Sequence, residues 1–249
     1  MRILLTNDDG YFAPGLQTLY RVLEAQTSHE ISIVAPEGQR SATGHAITLF
    51  QPLFLTEHAL GEGKKGYAVS GTPSDCVKLA IQGKLVAKPD MVISGINLGP
   101  NLGMDVFYSG TVAAAMEGVL LGIPALSVSL ASLEYRDFEP AAVFLAERLD
   151  FFTGHNQKGL LNINFPGKPA DDWRGLKTTR LGKAVYEDVF ERRVNPRGNV
   201  YYWQAGNPGR ELEPDTDLCA IMEDFISLTP MHNDLTDFAA LETWQKALS

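Results

Sequence analysis

Cysteine is nearly absent from this chain, with two residues, Cys76 and Cys219, in 249. Neither sits in a Cys-x-x-Cys motif or beside a histidine pair, which excludes a disulfide framework and a structural zinc site and points to a reducing cytoplasm. Long apolar runs are lacking too. The longest, residues 112–133, is interrupted by Glu117, Gly118, Gly122 and Pro124, so it reads as helix, turn and strand and not as a membrane span. The amino terminus turns acidic at Asp8, too soon for the apolar core of a secretory signal, and we expect a soluble protein with no membrane partner. Positive charge is also short. Lys and Arg number 21 against 30 Asp and Glu, a net charge of −9 that disfavours nucleic-acid polymers as partners, because phosphate backbones require a basic surface. The deficit is deepest between Lys88 and Arg136, where no lysine or arginine occurs. What is present is ordinary globular material, 45% hydrophobic and 20% charged, enough to bury a large core without covalent staples.

Short apolar runs alternate with helical patterns through the first two thirds of the chain. Strand signals fall near 2–6, 31–35, 66–70, 90–94, 125–130 and 160–164, and helical spacing over 14–26, 73–82, 111–121 and 138–152. This alternation predicts an α/β fold, a Rossmann-like, doubly wound and mainly parallel sheet with right-handed crossovers. Beyond residue 168 the texture changes. Pro, Gly, Arg and Trp become frequent, Tyr201, Tyr202 and Trp203 form an aromatic run that reads as packing, and no helical period is evident up to residue 230. We therefore expect an α/β catalytic core over 1–167 and, over 168–249, an extended β-rich arm followed by a terminal helix at 235–248.

Two adjacent carboxylates, Asp8 and Asp9, stand at the exit of the first predicted strand, in Thr6-Asn7-Asp8-Asp9-Gly10. Asn, Asp and Gly are turn formers, so a solvated turn is one reading. Position favours another, because ligands in open α/β sheets bind outside the carboxyl ends of strands. Two like charges side by side require something positive between them, and a hard divalent cation suits carboxylate and amide oxygens.

Three further segments follow predicted strands and so share that sheet edge. The loop 35–45 carries Ser41, a hydroxyl that can reach a metal, and Arg40, the nearest basic residue. The segment 93–103 packs Gly95, Gly99 and Gly103 with Asn97 and Asn101. Its glycines do not fit G-x-G-x-x-G, which disfavours a nicotinamide dehydrogenase, whereas an asparagine amide offers a neutral oxygen ligand and an anion donor. In the segment 108–118, Ser109 can cap a helix whose first turn, with Gly110 and Thr111, presents free N–H groups to an anion. With no cationic side chain in that stretch, a bound phosphate must be neutralised by backbone N–H groups, hydroxyls and a metal.

Together, Asn-Asp-Asp-Gly, Ala-Pro-x-x-x-x-Ser, Ser-Gly-Ile-Asn-x-Gly-x-Asn-x-Gly and Tyr-Ser-Gly-Thr-Val-x-Ala-Ala-Met-Glu closely resemble the SurE family of survival-protein nucleotidases. The resemblance extends to Gly71-Thr72-Pro73-Ser74-Asp75 and loosely to 197–199 and 226–230, nearly the whole chain. It implies a phosphatase acting on nucleoside 5′-monophosphates, with some activity on 3′-nucleotides and short polyphosphate, and one divalent cation per subunit, Mg²⁺ or Mn²⁺. Carried over by position, the metal ligands would be Asp8, Asp9, Ser41 and Asn97, with Asp8 and Asp9 catalytic. The phosphate would lie near Asn97, Ser109, Gly110 and Thr111. The family usually has glycine after the metal-binding serine and often asparagine four residues beyond it, where this chain has Ala42 and His45. We read His45 as a solvent-facing loop residue and His232 as structural. Exchanged arms in the family imply a homodimer or homotetramer.

The chemistry expected is attack by a metal-activated water, with Asp8 orienting it. A covalent aspartyl-phosphate route is disfavoured, since the carboxylates are adjacent and not alternate. The alternative function is a nucleotide or sugar-nucleotide binding or transfer protein that holds the metal without hydrolysis.

Overall fold

The computed structural model describes residues 1–61, 63–155, 159–187, 190–204, 207–210 and 213–249. In chain order the elements are β1 (Arg2–Thr6), α1 (Pro14–Gln26), β2 (Glu30–Pro36), β3 (Leu55–Gly61), β4 (Lys64–Val69), α2 (Pro73–Gln82), β5 (Met91–Leu98), α3 (Gly110–Leu120), β6 (Ala125–Ala131), α4 (Glu139–His155) and β7 (Leu160–Pro166). Then come β8 (Leu176–Thr178), β9 (Ala184–Glu187), β10 (Phe190–Val194), β11 (Val200–Gln204), β12 (Asn207–Arg210), α5 (Asp217–Met222), β13 (Ile226–Met231) and α6 (Phe238–Leu248).

Ile3, Leu4 and Leu5 of β1 are all buried, as a parallel strand covered on both faces requires. The main sheet runs β3-β4-β2-β1-β5-β6-β7-β13-β8. Its central pairs, β4-β2, β2-β1, β1-β5, β5-β6 and β6-β7, are parallel. Helices α1 and α4 pack together over one face, burying Leu16, Leu19, Leu23, Leu145 and Leu149; α2 and α3 cover the other with Cys76, Val77, Ala114 and Ala115. Close approach demands glycine at two places. A Cβ on Gly15 of α1 would sit 2.0 Å from the Ile96 carbonyl oxygen, and one on Gly118 of α3 would meet Val92 at 2.8 Å.

The winding direction reverses between β1 and β5. From β1 the chain passes through α1 to β2 on one side, and α2 then returns it to β5 on the other. A crevice opens where two such halves diverge, at the carboxyl ends of those strands.

Three elements differ from the sequence expectation. Strand β3 is an exposed edge strand antiparallel to β4, with little apolar alternation to reveal it. Strand β13 runs antiparallel to β7 and parallel to β8, so residues from the β-rich stretch complete the main sheet. Helix α5 spans six residues, too short to show a period, and starts from a Thr216 cap whose hydroxyl accepts the Cys219 N–H. Strands β9 and β12 pair antiparallel as one two-stranded ribbon, and β10 and β11 as another. Its aromatic run does not pack as expected, for Trp203 is 58% exposed and Tyr202 is exposed beside it. Helix α6 buries none of its residues.

Candidate active site

The turn after β1 divides its labour. Asn7 closes it, its Nδ2 donating to the Gly10 carbonyl at 3.0 Å and its Oδ1 accepting the Gly10 N–H at 3.2 Å. Gly10 takes a positive φ of 108° within close reach of Gly38. Asn7 and Gly10 thus supply the turn, and Asp8 and Asp9 stay free to face the crevice. Asp8 is only 5% exposed and accepts a hydrogen bond from the Thr111 hydroxyl. A Cβ on Gly110 would stand 2.8 Å from Asp8 Cβ, so the α3 start lies directly against this carboxylate. Ser109 caps that start, its Oγ accepting the Val112 N–H at 3.1 Å. Asp9 Oδ2 accepts the N–H of Leu98, the residue after Asn97, at 3.3 Å.

Asn97 owes its place to a bulge. Between Ser94 and Asn97 three residues of β5 advance while β6 advances two, Ser127 to Ser129, and such an insertion re-aims the strand end. The Asn97 Nδ2 donates to the Gly99 carbonyl at 2.9 Å, which leaves the amide oxygen as its ligand atom. Ser41 reaches this edge on the loop after β2. That loop is tied to the crevice because the Arg40 N–H donates to the Asp8 carbonyl at 2.7 Å and the Gly44 N–H to the Tyr108 carbonyl at 3.0 Å. The Ser41 hydroxyl is exposed and accepts from Gln39 Nε2 at 2.9 Å.

Burial pushes the Asp8 carboxyl up to about 6; the Thr111 hydrogen bond opposes the rise and the Asp9 charge adds to it. Burial also raises Asp9, against the Leu98 N–H. Arg40 does not relieve them. Its guanidinium donates to the Ser70 carbonyl at 2.8 Å and lies 3.7 Å from Glu37, and no lysine or arginine among the described residues pairs with either aspartate. Two adjacent desolvated carboxylates with no cationic side chain paired to them fit the charge of a hard divalent cation. Among the described residues no group of three or more His, Cys, Asp or Glu gathers to hold a metal, and Asp8 and Asp9 are two carboxylates only.

Sequence reasoning missed two networks. His45 is held, not free, with Nε2 2.8 Å from Glu117 Oε2, while Lys78 Nζ donates to the other oxygen of Glu117 at 3.1 Å. Glu117 is 4% exposed, and its partners hold its carboxyl below the usual range, the His45 bond foremost. The second network joins Asn101 to Asn162 and Asn164 of β7. The available signal was Leu160-Leu161-Asn162-Ile163-Asn164, two asparagines at strand period in a run otherwise apolar.

Fold and crevice together define a doubly wound α/β protein with two adjacent desolvated carboxylates and a capped helix start at its switch point. The sequence model of the family described as "Survival protein SurE" matches residues 3–188. The chain belongs to the SurE family. It is 60% identical over 249 residues to the "5′-nucleotidase SurE" of Desulfitobacterium hafniense (strain DSM 10664 / DCB-2), covering 100% of this chain and 98% of that protein. To the "5′-nucleotidase SurE" of Pelotomaculum thermopropionicum it is 52% identical over 253 residues, covering 100% and 95%. The crystal structure of the SurE protein from Aquifex aeolicus superposes with a TM-score of 0.85 at 35% identity over 100% of both chains.

Proposed function

We propose that this protein is a divalent-metal-dependent 5′-nucleotidase that hydrolyses nucleoside 5′-monophosphates to nucleoside and phosphate. The single observation that carries the reading is Asp8, buried and without a cationic partner, pressed against the capped start of α3. The names of the relatives support the reaction class.

Asp8, Asp9, Ser41 and Asn97 would hold one Mg²⁺ or Mn²⁺ per subunit. When bound, such an ion neutralises phosphoryl charge and acidifies a coordinated water. The remaining work falls to the chain. The helix start at Ser109, Gly110 and Thr111 offers N–H groups to the phosphoryl oxygens and to the charge that develops on them. Thr111 fixes the Asp8 carboxylate through its hydroxyl, so that Asp8 is oriented to take the proton of the attacking water. Water adds to phosphorus, the bond to the ribose oxygen breaks, and that oxygen leaves as the nucleoside hydroxyl after gaining a proton.

The proposal extends to 3′-nucleotides and short polyphosphate, to a cytoplasmic location and to a homodimer or homotetramer. The exposed ribbon aromatics and the unpacked α6 support the assembly. Among the described residues no helix is long and apolar enough to cross a membrane. Phosphate release from AMP and GMP with Mn²⁺, with and without EDTA, tests the reaction, and a panel of 3′-nucleotides and polyphosphate tests its breadth. Hydrolysis in wild type that vanishes with chelator and in Asp8→Asn is expected; tight nucleotide binding without turnover would contradict it.

A further inference from the structure

A row of buried polar side chains crosses the sheet beneath the crevice. The strand register sets Asn97 of β5 level with Ser129 of β6, and Ser129 level with Asn164 of β7; Ser94, Ser127 and Asn162 form the row before it. Ser127, Ser129, Asn162 and Asn164 have no solvent exposure, so each of these polar groups needs a partner inside the protein. The partners converge on one residue. Asn164 acts on the Asn101 peptide from both sides, its Oδ1 accepting the Asn101 N–H at 2.9 Å and its Nδ2 donating to the Asn101 carbonyl at 3.1 Å. Asn162 Nδ2 donates to the same carbonyl at 2.8 Å, while its Oδ1 is occupied by the Ser127 hydroxyl at 2.8 Å. The Asn101 side chain is bound as well, donating to Ser129 Oγ at 2.7 Å.

Asn101 lies in the 99–103 loop that leaves β5 directly after Asn97 and Leu98. Gly99 N–H reaches back to the Leu130 carbonyl at 2.9 Å, and Gly103 N–H is taken by the buried Asp217 at 2.7 Å. A Cβ at Gly103 would lie 2.6 Å from the Gly182 carbonyl oxygen, so this end of the loop has no room to shift. The segment bearing a crevice amide is therefore fixed at its middle by β7 and at its far end by α5. A loop bounded by two glycines, Gly99 and Gly103, would otherwise sample many conformations.

We propose that Asn162 and Asn164 are positioning residues of the phosphatase reaction: they clamp the Asn101 peptide and thereby hold Asn97 at the place where cation and phosphate meet. The inference rests on the nucleotidase reading above. Neither asparagine touches substrate; each acts through the loop. Removing a group that orients a ligand-bearing residue lowers metal affinity or activity by about 10–100-fold.

The test compares wild type, Asn164→Asp and Ile163→Val in the full chain. Asn164→Asp keeps the acceptor for the Asn101 N–H and removes the donor to its carbonyl, whereas Ile163→Val loosens the same strand without touching the loop. Phosphate release from AMP is followed against Mn²⁺ concentration, and Mn²⁺ binding is followed separately by electron paramagnetic resonance. In Asn164→Asp the Mn²⁺ requirement is expected to rise about 10–100-fold and kcat to fall, with Mn²⁺ binding weakened in parallel. Ile163→Val is expected to keep both constants even if its melting temperature drops. Unchanged Mn²⁺ binding and kcat in Asn164→Asp, or losses that merely follow the folded fraction, would overturn the proposal. Should Asn164→Asp not fold, Asn162→Ala, which removes one of two donors on the same carbonyl, is read by the same criteria. Absence of phosphate release from wild type would count against the nucleotidase reading alone, because the resonance measurement still decides whether the clamp governs cation binding.

Discussion

At the scale of single residues, Asp8 is the buried carboxylate of the candidate site, and its protonation couples to the stability of the fold. Because burial raises its folded value from the ordinary 3.8 to about 6, the native state holds this proton more tightly than the unfolded chain does. The metal-free protein therefore loses stability as pH rises from near 3.8 through about 6, by roughly 3 kcal/mol in total. Two outcomes follow from that sign. Asp8→Asn, which removes the charge and keeps the shape, is expected to raise the melting temperature of the metal-free protein at neutral pH while abolishing hydrolysis. Mn²⁺ is expected to raise the wild-type melting temperature more at about pH 7.5 than at about pH 5.5, because ligands bind metal deprotonated. Scanning calorimetry checks both, and a destabilised Asp8→Asn protein would contradict the first.

Gly110 gives a second test at this scale. Alanine there drives a Cβ to within 2.8 Å of Asp8 Cβ and 3.0 Å of its Oδ2, at a helix position where alanine is otherwise favourable. Gly110→Ala is expected to cut kcat by about 100-fold through displacement of the carboxylate, with stability changed by less than about 1 kcal/mol. Steady-state kinetics beside a thermal melt separates the two effects.

Among secondary-structure elements, α3 connects the crevice to the outer network. Its first turn meets Asp8, and Glu117 further along binds His45 and Lys78, tying α2 and the 41–48 loop to the same helix. The Glu117 carboxyl is held below its ordinary 4.5, so its contribution to stability is present above that value and is lost as pH falls through the lower folded one. Glu117→Gln is expected to cost about 1–2 kcal/mol near pH 7 and to flatten the acid limb of the stability curve below about pH 4.5. Urea denaturation across pH measures it.

The elements legible in the sequence were those whose periodicity reflects burial. The runs at β1, β5, β6 and β7 are apolar because both faces are covered, and α1 and α2 show helical spacing because each buries one face on the sheet. Edge strand β3 and short helix α5 lack such a stripe, and β13 carries Ser227 and Thr229 in its buried part before an exposed Pro230. At the candidate site, the turn bearing Asp8 and Asp9 follows β1 as its residue types suggest and Ser109 caps α3, whereas Asn97 lies inside β5 beyond a bulge that local sequence does not reveal. The His45–Glu117 bond joins residues 72 apart and the Asn101–Asn164 bond residues 63 apart, and such pairings depend on register and helix placement that no local window carries.

At the scale of the whole molecule, the β10–β11 ribbon and α6 carry exposed aromatic side chains. Trp203 on the ribbon and Trp244 on α6, 58% and 67% exposed, are apolar surface that a monomer leaves in water. In the proposed homodimer or homotetramer these parts are covered. Sedimentation of the full chain is expected to give a mass of two or four subunits, and Trp203→Asp or Trp244→Asp a smaller one. A monomeric wild type would contradict the assembly without touching the crevice chemistry.

In the proposed mechanism one ion brings Asp8, Asp9, Ser41 and Asn97 to act together beside the α3 start. The measurement that tests it most directly is phosphate release from AMP by chelator-stripped protein titrated with Mn²⁺. Activity absent without the ion and restored at one Mn²⁺ per subunit is the predicted result, with Asp9→Asn shifting the titration to far higher concentration. Undiminished hydrolysis after chelation, or an Asp9→Asn titration indistinguishable from wild type, would contradict it.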